Sequence, residues 1–237
     1  MIRALAMFLI YGTLGLLAAL IGIPWTLIKS DITDLYNVAM WIVTAGVRAA
    51  GIHVEVTGRE NLPSGRCCIF MANHVSNLDP TVLIPNLPGR TSILLKQELM
   101  RIPLLGTAMR LANFVPVTRG HQREKAVESI RAAVEVLRSG LHITVFPEGT
   151  RSRDGHMLPF KKGPFFLAQE TAAPIVPISI HGTESMMRKG SMRIFPATAY
   201  VHFHPVIEPG NYITREDLME AVRNAIASGL PEWMRAG

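Results

Sequence analysis

The stretch Asn73-His74-Val75-Ser76-Asn77-Leu78-Asp79-Pro80 places an imidazole and a carboxylate five residues apart. A carboxylate bonded to one ring nitrogen fixes the tautomer and leaves the other nitrogen as a general base near neutral pH. Five residues span about 17 Å when extended, and on a regular helix the two side chains would point about 140° apart. Only a turn brings them together, and Ser76-Asn77 supplies turn residues. The same residues fit a purely structural arrangement. Pro80 suits a first helical position, which makes Asp79 a natural N-cap with His74 merely preceding it. Because a carboxylate has two oxygens, capping and orienting are compatible.

A second cluster, Phe146-Pro147-Glu148-Gly149-Thr150-Arg151-Ser152-Arg153, also leaves the end of an apolar run. Amides around Gly149 and Thr150 are candidates for an anion-binding nest, and the Arg151 guanidinium can grip a phosphate with two hydrogen bonds. Lys161 and Lys162 add charge nearby; the plain alternative is a solvated turn. Lys96 and Arg119 each follow another apolar run. Four strands that finish in a His or a cation imply one rim lined for an anion. Nucleic acid fits this charge poorly, since the basic residues lack an aromatic stripe or a basic helix. No Ser or Cys sits in a nucleophile-elbow context, and no metal-ligand cluster is evident; His202 and His204 read as surface or satisfied strand residues.

These groups need a scaffold. Short β-branched runs at 52–57, 66–71, 91–95, 113–117, 142–146, 174–180 and 198–207 read as strands. Residues 124–138 form an amphipathic helix, and Thr214 to Asp217 a capping box that opens a last one. Segments 78–85, 97–111 and 163–171 are shorter or broken helices. Strand–helix alternation predicts an α/β fold, a mixed central sheet covered by helices. The adjacent cysteines, Cys67 and Cys68, exclude a disulfide scaffold and fit two small core residues in a reducing compartment.

The chain has 237 residues, 49% of them hydrophobic and only 18% charged, with a formal charge of +6. The apolar excess lies at the front: no charged residue occurs between Arg3 and Lys29. As a helix this stretch would be about 37 Å long, against a hydrocarbon core of about 30 Å. Pro24 is expected to interrupt it, and a second apolar helix follows over 35–47. Together they predict an N-terminal apolar two-helix membrane-associated hairpin, joined by a break around Pro24–Ser30. The expected division is residues 1–50 for the hairpin and 51–237 for the α/β domain.

Between Ile69 and Pro205 the chain resembles the 1-acylglycerol-3-phosphate acyltransferases of the glycerolipid acyltransferase family. Four blocks in order carry the resemblance: the H-x-x-x-x-D motif (His74, Asp79), the block ending at Arg119, the F-P-E-G-T-R-S block (Phe146 to Ser152) and Val176-Pro177-Ile178. The second block has Ala112 where the family usually has Gly. The resemblance implies direct acyl transfer from acyl-CoA or acyl carrier protein to lysophosphatidic acid, with no cofactor and no metal. It implies that His74 is the general base and that Asp79 orients it. Arg151 would hold the phosphate, Glu148, Gly149 and Thr150 would shape that pocket, and Lys96 and Arg119 would add charge. It further implies contact with membrane lipid and an active site at the cytoplasmic face. Other readings are a different lysolipid acceptor, a membrane-associated phosphatase, or a non-catalytic lipid-binding protein on the same scaffold.

Overall fold

Each short β-branched run becomes a strand of one sheet. In the computed structural model, which describes residues 2–117, 123–187 and 193–235, these are β1 (His53–Thr57), β2 (Ile69–Ala72), β3 (Thr91–Lys96), β4 (Val115–Val117), β5 (His142–Val145), β6 (Ile175–His181) and β7 (Thr198–Phe203). They lie side by side in the order β1-β7-β6-β2-β5-β3-β4. Only the β6–β7 pair is antiparallel, so the sheet is mixed. The helices are α1 (Ile2–Lys29), α2 (Thr33–Ala49), α3 (Asp79–Leu83), α4 (Leu105–Leu111), α5 (Arg123–Arg138), α6 (Gly163–Thr171), α7 (Thr183–Met186), α8 (Arg215–Ser228) and α9 (Glu232–Arg235).

Alternation along β2 sorts the core into two layers. Ile69 and Met71 pack with Ile143 and Val145 of β5 against α5, α6 and α8, through Leu137, Phe165, Leu167, Leu218 and Val222. Phe70 and Ala72 point the other way, onto Val82 and Leu83 of α3 and onto Met7 and Val47 of the first two helices. Fully burying one such side chain contributes roughly 1.5–3 kcal/mol. Packing on both faces therefore fixes where β2 ends, which is where the chemistry begins. Thr214 caps α8 as expected, accepting from the Asp217 amide at 3.1 Å. Several expected strands are shorter, among them β2, which starts at Ile69, β4, which starts at Val115, and β7, which stops at Phe203, beyond which Ile207 returns to bridge Ile175. Pro205, which has no amide to give a ladder, interrupts β7.

The N-terminal helices depart from expectation at Pro24. Helix α1 runs through it to Lys29, and the break falls at Ser30–Ile32. Pro24 costs the helix the bond its own amide would have made. The turn that follows is held from outside. Trp25 Nε1 and Lys29 Nζ both donate to Asp34 Oδ2, each at 2.9 Å. Tyr11 Oη donates to Val43 O at 3.1 Å, so α1 and α2 run antiparallel. Helix α1 is long and apolar enough to cross a membrane, and most of it is left uncovered by the rest of the chain. Ile21 and Ile28, for example, are 72% and 78% exposed.

Candidate functional site

Strand β2 gives way to the site at Asn73. This side chain is buried and imitates a strand partner, donating from Nδ2 to Ile180 O at 2.8 Å and accepting from Ile180 N at 2.7 Å. The exit of β2 is thereby pinned to β6. The next residue, His74, is held on three sides. Its amide donates to Glu148 Oε1 at 2.6 Å, and its carbonyl accepts from the Ser152 amide at 2.9 Å. Its ring stacks on Phe146 with centroids 4.2 Å apart. Its Nδ1 lies 2.8 Å from Asp79 Oδ2.

Asp79 is fully buried. Oδ2 also accepts from the amides of Val75 and Ser76, at 2.7 and 2.8 Å, and Oδ1 accepts from Thr183 Oγ1 at 2.5 Å. Each of the four groups bonded to this carboxylate is able to donate. Because the contact to Asp79 occupies Nδ1, Nε2 is the ring nitrogen left to act as a base. The N-cap role expected for Asp79 is not observed. Leu78 occupies that position, and the carboxylate faces back into the loop. Two convergent loop amides and a ring N–H outweigh the amides at the start of a five-residue helix.

Glu148 is 2% exposed, and both its oxygens take backbone amides: Oε1 that of His74, Oε2 that of Leu158 at 2.9 Å. Burial pushes its carboxyl up to about 7, with the Leu158 and His74 bonds opposing, Asp79 adding and the Arg223 guanidinium opposing. Gly149 turns the chain at φ +69°, a left-handed conformation that favours glycine. Its amide donates to Phe146 O at 3.0 Å. The nest expected from the amides around Gly149 and Thr150 therefore lacks its Gly149 member, because the tight turn consumes that donor. Thr150 and Arg151 sit half-buried just beyond.

Strands β2, β5, β3 and β4 are adjacent and parallel, so their carboxyl ends share one edge of the sheet. That edge gathers His74, the Glu148–Arg151 turn and Lys96, in the crevice where open α/β sheets bind ligands. Lys96 closes β3 about half exposed, and its Nζ pairs with Glu98 at 3.2 Å. Arg119 lies outside the described residues. Elsewhere, burial raises the thiol of Cys68, in the core beside His142. His202 bonds Thr57, and buried His204 bonds Ser179.

Sequence reasoning missed Thr183, which sits 104 residues from Asp79 and donates to it. The available signal was a hydroxyl just after Gly182 at the exit of β6. It also missed that Glu148 serves the His74 backbone, since a carboxylate seeking amides leaves no trace in spacing.

An α/β crevice with a buried Asp–His pair and cations on neighbouring strand ends defines a class, and the comparisons agree with it. The family model described as Acyltransferase matches residues 53–181, which include His74, Asp79, Lys96, Glu148 and Arg151. The chain belongs to the Acyltransferase family, and its relatives narrow the likeness. It is 31% identical over 196 residues to a 1-acyl-sn-glycerol-3-phosphate acyltransferase of Borreliella burgdorferi, covering 82% of this chain and 75% of that one. It is 31% identical over 225 residues to the protein of the same name from Limnanthes douglasii, covering 92% and 76%. Its structure is similar to the crystal structure of the 1-acyl-sn-glycerophosphate (LPA) acyltransferase PlsC from Thermotoga maritima, with a TM-score of 0.79, 29% identity and coverage of 96% and 95%.

Proposed function

We propose that the protein transfers a fatty acyl group from a thioester, acyl-CoA or acyl carrier protein, to the free sn-2 hydroxyl of 1-acylglycerol 3-phosphate, giving phosphatidic acid. One observation carries this reading: His74 Nδ1 lies 2.8 Å from the buried Asp79 carboxylate, at the sheet edge that also presents Arg151. The names of the relatives supply the acceptor.

In the reaction, His74 Nε2 takes the hydroxyl proton as the acceptor oxygen attacks the thioester carbonyl. Asp79 steadies the imidazolium so formed. The tetrahedral intermediate collapses, the C–S bond breaks, and the leaving thiolate takes the proton back from His74. No covalent acyl-enzyme is required. Arg151 holds the acceptor phosphate, and Lys96 and Arg119 raise the local positive potential. Thr150 and the Gly149 turn shape that pocket, while Glu148 fixes the His74 backbone. Helix α1 keeps the crevice at the bilayer, so acceptor and product leave their acyl chains in lipid. In this reading the crevice opens on the cytoplasmic side.

The test crosses several lysolipids with both thioester donors. Expected is product only where the acceptor carries a phosphate. Equal use of monoacylglycerol overturns the phosphate role, phosphate release indicates a phosphatase, and no turnover with any pair indicates a binding protein.

A further inference from the structure

We propose that Arg223, on α8, is a positioning residue for His74, acting through residues 157–158 and Glu148; this rests on the base role proposed above for His74. Its guanidinium spans two consecutive carbonyls, with Nη1 on Leu158 O at 2.9 Å and Nη2 on Met157 O at 3.1 Å. Of these two residues, Leu158 turns its amide to the site and Met157 turns its amide to α9. Leu158 N donates to Glu148 Oε2 at 2.9 Å, while Met157 N is anchored to Met234 O of α9 at 3.0 Å. Glu148 then passes the constraint on, since its other oxygen holds the His74 amide at 2.6 Å. Three hydrogen bonds thus connect the guanidinium to the peptide that carries the ring. Stacking fixes the far end of the path, where the guanidinium carbon lies 5.6 Å from the centre of the Phe160 ring.

Arg223 also acts by charge. Glu148 is buried, accepts two amides and ionises only near pH 7. The charged groups around it are Asp79 from α3, which opposes its ionisation, and Arg223 from α8, which favours it. His74 meets it through an amide. Lys161 and Arg151 belong to the same loop, the Lys161 chain passing Gly149 and its amide bonding Pro147 O. Removing Arg223 takes away the cation that helps Glu148 to hold its charge, so the protein then needs a higher pH to ionise it.

The experiment measures kcat, KM for lysophosphatidate and their pH profiles in Arg223→Met, Arg223→Lys and Glu148→Gln variants whose folding is checked by circular dichroism. A positioning role typically carries about one to two orders of magnitude. Expected for Arg223→Met is a kcat about 10–100-fold lower with KM changed less than about threefold. Its acidic limb of kcat should move to higher pH. Arg223→Lys keeps the charge and loses the paired carbonyl grip, so its limb stays with the parent while kcat falls part-way. In the Glu148→Gln background, Arg223→Met should no longer move the limb. An unmoved limb in Arg223→Met, with loss confined to thermal stability, overturns the proposal. If Arg223→Met does not fold, parent-like kcat and KM in Arg223→Lys overturn it instead. His74→Ala, run alongside, reports on the base separately. Collapse there with an unmoved limb in Arg223→Met removes the positioning role alone, whereas full turnover in His74→Ala removes both.

Discussion

At the scale of single residues, the site is a matter of who accepts and who donates. Asp79 sits at the centre of four donors, and Thr183 is the one farthest away in sequence. Thr183→Val keeps the shape and removes the hydroxyl. A hydrogen bond to a charged group contributes about 1.5–3 kcal/mol, so the variant should unfold at lower denaturant and turn over more slowly with KM little changed. Arg151→Ala should instead raise KM for phosphate-bearing acceptors and leave the rate with saturating acceptor less affected. Glu148 ties activity to stability. Its carboxyl, raised to about 7 chiefly by burial, holds a proton in the folded state that the unfolded chain has already released. Between the ordinary carboxylate range and about 7, rising pH therefore lowers stability, by something on the order of 3 kcal/mol for this group. Glu148→Gln should flatten that slope, making the protein relatively more stable at pH 8 while activity falls. Thermal unfolding at pH 5.5 and 8 reads this directly. The pairing of His74 with Asp79 was legible from residue types and a turn between them. The amides of Val75 and Ser76 that draw the carboxylate backwards were not, because backbone donors have no letter in the sequence.

Among the elements, strands were easier to foresee than their ends. β-Branched runs located all seven strands among the described residues, and the Gly163–Thr171 helix appears as expected. The interruption at 102–104 shows why 97–111 reads as a broken helix, since Leu104 takes a φ of +61° that no helix residue adopts. Pro24 misled in the other direction. A lone proline marks a break only when nothing else holds the next turn, and here Asp34 does so from another helix. Helix α8 shows a similar dependence on tertiary partners. Its Ile226 carbonyl accepts from Ser179 Oγ at 2.6 Å, and Ser179 in turn meets His204 Nε2 at 2.5 Å. Burial first, and His202 second, depress the His204 imidazole to about 4. The unfolded chain takes up that proton near 6.5 and the folded one only much lower, so stability is lost as pH falls from 6.5 towards 4. His204→Gln should flatten the acid side of the stability profile, and hydrogen exchange in α8 should lose its acid sensitivity in the same variant.

For the whole molecule, the sheet order matters more than any strand. Placing β2, β5 and β3 side by side and parallel turns three separate sequence signals, His74, the Glu148–Arg151 turn and Lys96, into one edge, and strand order is not written in local pattern. The first helices illustrate the same point. Ala4, Met7, Val47 and Ala50 belong to the core that packs on the sheet, so removing residues 1–50 would open that core as well as remove the apolar surface. Membrane attachment is better tested by Leu17→Ser, Leu20→Ser and Ile21→Ser together, at positions exposed along α1. That variant should be washed from membranes by salt or mild alkali yet retain turnover of a short-chain, soluble lysophosphatidate. Unchanged partitioning would remove α1 as the anchor. The proposed transfer depends on a ring that takes a proton from the lipid acceptor. The most direct test follows thiol release from acyl-CoA by purified protein, with and without lysophosphatidate, in the parent and in folded His74→Ala. Direct transfer with His74 as base predicts release that depends on the acceptor and falls by about 10²–10⁴-fold in the variant. Rapid release without acceptor, or equal release from His74→Ala, would contradict it.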